Sequence, residues 1–318
     1  MLTTEVSDPV EVSEDLAVCV LSSLSYAEQG LQAAVDSASF DARAQVLAEM
    51  GYSLEGQTAL VVGCDGQIGT EICKRLADHG CSVIGTSISD SGIASSRAAV
   101  SSRWGTWNGG VVCDFTNPAT FDGAVERIIE QLAGGPLDIL ALVGGGVVKG
   151  VAATEFFHDF PDDVFERAVR LNFVGPVQFA RRLLKAGLMD RAAYPRLGAI
   201  CSMSYTLDLS RVFAYRSSKA ALREWVEFMV IEASKRWPAM RVLGWEPGFV
   251  MSAQNKGIID PVREAAIRNR FPDGQFQTPE NVANAIVMSL LPAARDLHGS
   301  VIEIGNGCQR AGLGMNAL

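Results

Sequence analysis

Thr58-Ala59-Leu60-Val61-Val62-Gly63-Cys64-Asp65-Gly66-Gln67-Ile68-Gly69 is the stretch that decides the fold. Its first half is an apolar run of strand length. Its second half spaces three glycines as G-x-x-G-x-x-G, and a helical pattern over 67–79 follows. Glycines at such a strand-to-helix turn let the chain reverse tightly, approach a pyrophosphate, and pack helix on strand. The start of the helix offers N–H groups and a partial positive charge to phosphates. Gly63, Gly66, Gln67, Ile68 and Gly69 are therefore the first candidate cofactor contacts; a structural tight turn is the plainer alternative.

The same alternation continues outward from this turn. Apolar runs at 58–63, 82–87, 110–113, 138–143, 198–203, 240–245 and 300–304 read as strands. Helical patterns at 67–79, 91–101, 118–132, 162–186, 213–236, 257–269 and 279–290 separate them. Near-continuous apolar strands interleaved with helices predict an α/β fold, a Rossmann-type doubly wound parallel sheet of about seven strands with helices on both faces. Residues 55–318 show no linker or repeat and are expected to form one domain. Upstream, 14–36 and 40–50 carry helix-spaced apolar positions (Leu16, Val20, Leu24, then Val46, Leu47, Met50), and Gly51 is placed to end the second helix. Residues 1–54 read as an N-terminal helical extension.

Composition narrows the function. The chain has 318 residues, 48% hydrophobic and 20% charged, enough for a large core and unlike a disordered chain. Its net charge of -9 argues against a nucleic-acid partner. Runs such as Leu16–Leu21 and Ile139–Val143 are too short to span a bilayer. Glu5, Asp8, Glu11, Glu14 and Asp15 give the N-terminus the wrong charge for a targeting segment. Seven scattered cysteines suggest reduced thiols and a cytoplasmic protein, with no metal site. His79, His158 and His298 form no evident cluster.

Chemistry enters with Tyr215-Arg216-Ser217-Ser218-Lys219, at the head of an apolar helical run. Tyrosine and lysine four apart share one helix face. A phenol of pKa near 10 is a poor acid at neutral pH, and a nearby ammonium lowers that value and makes proton transfer easier. Two unrelated side chains are the bland reading of this pair alone. Other strand ends agree with a bound dinucleotide. Asp114, after the run 110–113, can accept from an adenine amino group; capping the turn before Asn117-Pro118 is its alternative. Val143-Gly144-Gly145-Gly146 lets the backbone approach a ligand crevice beyond the strand ends. Ser87 stands where NAD enzymes often carry an acid for the ribose hydroxyls. Without that acid, a 2′-phosphate meets less repulsion, which leans toward NADP over NAD, although Asp90 is near and no arginine stands beside Ser87.

The chain resembles the short-chain dehydrogenase/reductase family, in its simple single-domain branch, over about residues 55–310. The motifs follow the family's order: the glycine turn, Asp114, Leu137-Asp138-Ile139-Leu140, Asn172 in Leu171-Asn172-Phe173-Val174-Gly175, Tyr215-x-x-x-Lys219, Pro247-Gly248, and the ending Gly299 to Gly307. The resemblance implies that Tyr215 is the proton donor or acceptor at the substrate oxygen. It implies that Lys219 holds the nicotinamide ribose and lowers the tyrosine pKa, and that Asn172 orders a water in a proton relay. A buried amide that kinks the helix is the plainer reading of Asn172. It extends the cofactor contacts to Phe115, Gly144, Gly145, Pro247, Gly248, Val250 and Ser252, and implies a homodimer or homotetramer.

The family's serine has three candidate counterparts here. The family interval to Tyr215 points to Ser202, and the strand end points to Ser204 or Tyr205. Ser202 and Ser204 face the same way by the period of two, and Ser204 lies nearer the carboxyl end, so Ser204 is preferred. The chain departs from the family in its shifted third glycine, in Leu142 and Val143 at the family's asparagine positions, and in its N-terminal helices.

The expected reaction is hydride transfer between a nicotinamide and a carbonyl or alcohol carbon, ketoreductase-like. Val147, Val148, Tyr205, Leu207, Phe249, Met251, Ile258, Ile259 and Phe271 are expected to line a mostly apolar substrate pocket, with Lys149, Arg211 and Lys256 at its rim. Segment 253–275 is expected to form a lid. Alternatives are a non-redox lyase or cyclase on the same scaffold, an enoyl-thioester reductase pairing Tyr205 with Tyr215, and a non-catalytic scaffold.

Overall fold

A computed structural model of the chain describes residues 40–100, 105–148, 157–159, 161–205, 212–251 and 261–308. The helix expected at 14–36 lies outside them, as do Lys149, Leu207, Arg211, Ser252, Lys256, Ile258 and Ile259. The chain divides into two units, Met1–Met50 and Gly51–Leu318. In the first, the described element is the helix Phe40–Glu49. Gly51, with φ of 78°, follows it in the left-handed conformation that glycine adopts at helix ends.

The second unit is built on seven parallel strands: β1 (Thr58–Val62), β2 (Ser82–Ser87), β3 (Thr106–Val112), β4 (Ile139–Leu142), β5 (Arg196–Ile200), β6 (Arg241–Pro247) and β7 (Val301–Ile304). Their order across the sheet is β3-β2-β1-β4-β5-β6-β7. The order reverses between β1 and β4, the switch point at which open α/β sheets bind ligands.

Both faces of the sheet are buried, and alternate residues of β1 show it. Leu60 and Val62 enter one core with Phe121, Ile128, Phe179 and Val226. Ala59 and Val61 enter the other with Ile72, Leu76, Val282 and Ile286. Helices Phe121–Leu132, Gly175–Lys185 and Phe213–Arg236 cover the first face; Gln67–Asp78 and Pro279–Leu290 cover the second. This two-sided burial is why the strands read as unbroken apolar runs.

Two expectations differ from the structure. Strand β3 starts at Thr106, earlier than the expected 110, and includes Gly109 and Gly110. Neither glycine breaks the strand. A Cβ on Gly109 would overlap Gln131, and one on Gly110 would overlap Ile93, so close helix packing needs the small residue there. The single helix expected at 162–186 is Asp162–Val169, a π-helical turn Arg170–Val174, and Gly175–Lys185. The widened turn carries Asn172.

At the amino ends of the strands, Arg196 is buried and holds the sheet together. Its guanidinium donates to Leu290 O (3.0 Å) and to Gln57 Oε1. Asp138 beside it accepts from Thr58 N (2.8 Å). This network lies at the edge opposite the switch point.

Candidate active site

The glycine turn is tied to the end of β2. The N–H groups of Gly63 and Cys64 both donate to Thr86 O (2.9 Å each). Gly63 has φ of 83°, and a Cβ there would lie 2.5 Å from Gly144 Cα. The first turn and the glycine run after β4 therefore meet backbone to backbone at the switch point. A Cβ on Gly69 would overlap Gly63 O, so the helix sits directly on the turn. Gly66 precedes the helix Gln67–Asp78, and Thr70 N donates to Gly66 O (2.8 Å). A bare backbone concavity facing a helix start is the cradle a pyrophosphate needs, and the residues present fit a dinucleotide.

Asn172, Lys219 and the glycine run come together beside it. Asn172 is fully buried. Its Oδ1 accepts from Gly146 N (2.8 Å), and its Nδ2 donates to Gly146 O and Ala168 O (3.0 Å each). Thus the glycine run, which lacks the family's asparagines, is held by its backbone pairing with Asn172. Gly145 has φ of 141°, and a Cβ on it would meet Asn172 Oδ1 at 2.6 Å and Lys219 Nζ at 3.3 Å. No larger residue fits between the amide and the ammonium. Lys219 is 4% exposed and donates to Ile200 O (2.7 Å).

Tyr215 stands near the start of the helix Phe213–Arg236, with Ser218 Oγ donating to its carbonyl (2.8 Å). The Ser202 hydroxyl lies close enough to the phenol to favour its ionised form. The serine that acts on the phenol is thus Ser202, where the period of two favoured Ser204. The reason is where the pleat stops: β5 ends at Ile200, and the chain turns into a 3₁₀ turn at Met203–Tyr205. Alternation no longer applies there. Ser204 N donates to Ser202 Oγ (3.1 Å), whereas Ser204 Oγ is buried without a hydrogen-bond partner.

Burial pushes the Tyr215 phenol above its ordinary value; the Ser202 hydroxyl pulls down and the Cys201 thiol pushes up. The lowering expected from Lys219 is not what results, because desolvation of the phenolate dominates. Lys219 itself is pulled down to about 8, chiefly by burial.

The other expected contacts divide. Asp114 Oδ1 accepts from Thr116 N (2.8 Å) and Thr116 Oγ1 (2.7 Å), so this carboxylate closes the turn before Asn117-Pro118. Phe115 puts its ring into the core against Phe121 and Phe179, the core that Cys113 also enters. Gly248 N donates to Ile304 O and to Gln277 Oε1 (2.9 Å each), and Val250 pairs with Gln277 as a lone parallel bridge. Gln277 thus fixes the segment after β6 that starts at Pro247-Gly248; no spacing rule marks it in the sequence. Phe271 is 3% exposed and packs with Met203, Cys308, Phe249 and Phe276, so these aromatics form a small satellite core. Ser87 is buried at the end of β2, and the exposed Asp65 of the glycine turn comes up beside it, at a position the motif leaves unspecified.

A doubly wound sheet with a glycine cradle at its switch point, and with serine, tyrosine, lysine and asparagine gathered beside it, defines a nicotinamide-dependent dehydrogenase. Residues 57–261 match the short chain dehydrogenase family, and the chain belongs to it. It is an NAD(P)-dependent oxidoreductase acting on a CH–OH or C=O group. The chain is 25% identical over 255 residues to 3-oxoacyl-[acyl-carrier-protein] reductase FabG of Vibrio harveyi, covering 80% of this chain and 98% of that one. It is 27% identical over 257 residues to 7alpha-hydroxysteroid dehydrogenase of Escherichia coli (strain K12), covering 80% and 94%. A solved 7 alpha-hydroxysteroid dehydrogenase, complexed with NADH and 7-oxo glycochenodeoxycholic acid, superposes with a TM-score of 0.69 at 25% identity, covering 81% of this chain and 96% of that one. Among the described residues, no helix is long and apolar enough to cross a membrane.

Proposed function

We propose that the enzyme interconverts a ketone and a secondary alcohol on a medium-sized, fairly hydrophobic substrate, with Tyr215 as the proton-transfer group. The observation that carries this is the gathering of Lys219 and Asn172 around the glycine run at the carboxyl end of β5, with the Ser202 hydroxyl near the Tyr215 phenol. A bound nicotinamide supplies or takes the hydride. In the reducing direction, Ser202 and Tyr215 donate hydrogen bonds to the carbonyl oxygen, and Tyr215 gives its proton as the alcohol forms. The raised phenol pKa keeps that proton on Tyr215 until charge develops on the substrate oxygen. Lys219 is positioned to hold the nicotinamide ribose, and its ammonium stabilises the tyrosinate left behind. Asn172 locks the Gly144–Gly146 backbone, which borders the same space. The cradle of Gly63, Gly66, Gln67, Ile68 and Gly69 holds the pyrophosphate, Pro247, Gly248 and Val250 border the nicotinamide, and the remaining oxygen of Asp114 serves the adenine.

The names of two relatives, a 3-oxoacyl thioester reductase and a hydroxysteroid dehydrogenase, support an apolar ketone or alcohol. Buried thiols at Cys64, Cys73, Cys81, Cys113 and Cys201 support a reducing compartment such as the cytoplasm. Exposed Phe228 and Ile231 on the helix Phe213–Arg236 support self-association.

The test follows reduced-nicotinamide absorbance with a panel of hydrophobic ketones. Tyr215→Phe and Ser202→Ala should each lower kcat by about 100-fold or more, and Ser204→Ala should retain most of it. Turnover that survives Tyr215→Phe overturns the assignment. Dinucleotide binding without any ketone reduction or alcohol oxidation would favour a non-redox reaction on this scaffold.

A further inference from the structure

We propose that Asp65 selects the form of the cofactor: its carboxylate accepts the adenosine ribose hydroxyls and repels a 2′-phosphate, so NAD(H) is preferred to NADP(H). The inference rests on the dinucleotide-binding reading above and names the residue that discriminates within it. It also reverses the lean to NADP that Ser87 suggests in the sequence.

The geometry starts from the backbone. Gly63 and Cys64 both donate to Thr86 O, which pins the glycine turn to the last residues of β2. The next residue, Asp65, is thereby carried over the strand end. A Cβ on Gly92 would overlap Ser87 Oγ and meet Asp65 Oδ2 at 2.8 Å. Hydroxyl and carboxylate thus flank one spot at the start of the helix Asp90–Ala99. Ser87 is 2% exposed and forms the floor; Asp65 is exposed and forms the rim. The carboxylate that β2 itself lacks is supplied from the first turn.

Among the described residues, the groups around it do not offset it. Ser87 Oγ accepts from Ser89 N (3.3 Å). Ser89 Oγ accepts from Gly92 N (3.2 Å) and pairs with Ser91 Oγ (3.1 Å), so the helix start is capped from within. Asp90 adds a second carboxylate in that helix's first turn. A ribose diol brings two O–H donors, and a carboxylate brings two acceptor oxygens, so the pair is matched. A 2′-phosphate brings only acceptors and negative charge. Placed within several ångströms of Asp65 at near-surface dielectric, it should lose about one to two powers of ten in affinity.

The test is fluorescence titration of the purified chain with NADH and with NADPH, which reads binding without turnover. The parent should bind NADH at least about tenfold more tightly. Asp65→Asn keeps the shape and removes the charge, and should close most of that gap, chiefly by improving NADPH. Equal or tighter binding of NADPH by the parent overturns the proposal. So does an Asp65→Asn variant whose ratio is unchanged. If neither dinucleotide binds the parent, the cofactor reading itself fails, an outcome distinct from a wrong preference.

Discussion

Lys219→Met should make the ligand-free protein more stable at neutral pH while destroying its redox activity. Lys219 is 4% exposed, and Ile200 O accepts from its ammonium at 2.7 Å. Burial lowers its pKa from 10.5 to about 8. The folded chain therefore holds the charge less willingly than the unfolded one, and at pH 7 that fall corresponds to about 3 kcal/mol of destabilisation. Methionine has a similar length and no charge. It leaves Ile200 O without this donor, at a cost of about 1 kcal/mol. The net expectation is a gain of about 2 kcal/mol at pH 7. The sign then changes with pH. Between pH 8 and 10.5 the unfolded chain keeps a proton that the folded chain releases, so the parent gains stability as pH rises. The variant's advantage should vanish and end as a deficit of about 1 kcal/mol. Urea unfolding followed by tryptophan fluorescence at pH 7 and pH 10.5 reads both limits. A variant less stable than the parent at pH 7, or a difference that does not move with pH, refutes the reasoning.

Three further outcomes follow from the same contacts. Gly63→Ala should cost about 2–4 kcal/mol, because φ is 83° and the new Cβ would lie 2.5 Å from Gly144 Cα; an unchanged melting temperature would show that the two turns are not in contact. Asn172→Ala should cost about 3 kcal/mol in urea unfolding, since Gly146 N, Gly146 O and Ala168 O lose their partners; a loss within 0.5 kcal/mol, roughly the scatter of surface substitutions, would count against that role. His298 Nδ1 accepts from Val242 N at 2.9 Å, and burial and Arg241 lower its pKa below the ordinary 6.5. The unfolded chain then binds a proton that the folded chain resists, so stability should fall as pH drops below about 6.5. Thermal melts of His298→Gln should show a flatter dependence, and an identical slope would clear this histidine of the effect.

The elements were legible because burying both faces of a parallel sheet writes apolar strands and amphipathic helices directly into the chain. The helices Phe213–Arg236 and Pro279–Leu290 fall on the expected residues. The exceptions have local causes. The strand expected at 110–113 begins at Thr106, and within it Gly109 and Gly110 leave room for Gln131 and Ile93. The helix at 162–186 widens at Arg170–Val174, where Asn172 turns to pair with Gly146. Phe115 and Phe271 looked like ligand contacts, since an apolar residue beside a motif reads alike whether it faces a ligand or a core.

Order along the chain determined the sheet, its switch point, the glycine cradle and the tyrosine–lysine pair, because each depends on residues close in sequence or on periodicity. Which serine meets Tyr215, what holds the glycine run after β4, and which carboxylate stands over the end of β2 were decided only when distant segments packed together. Those answers depend on where a strand stops pleating and how two turns abut, and neither property belongs to any one stretch of residues.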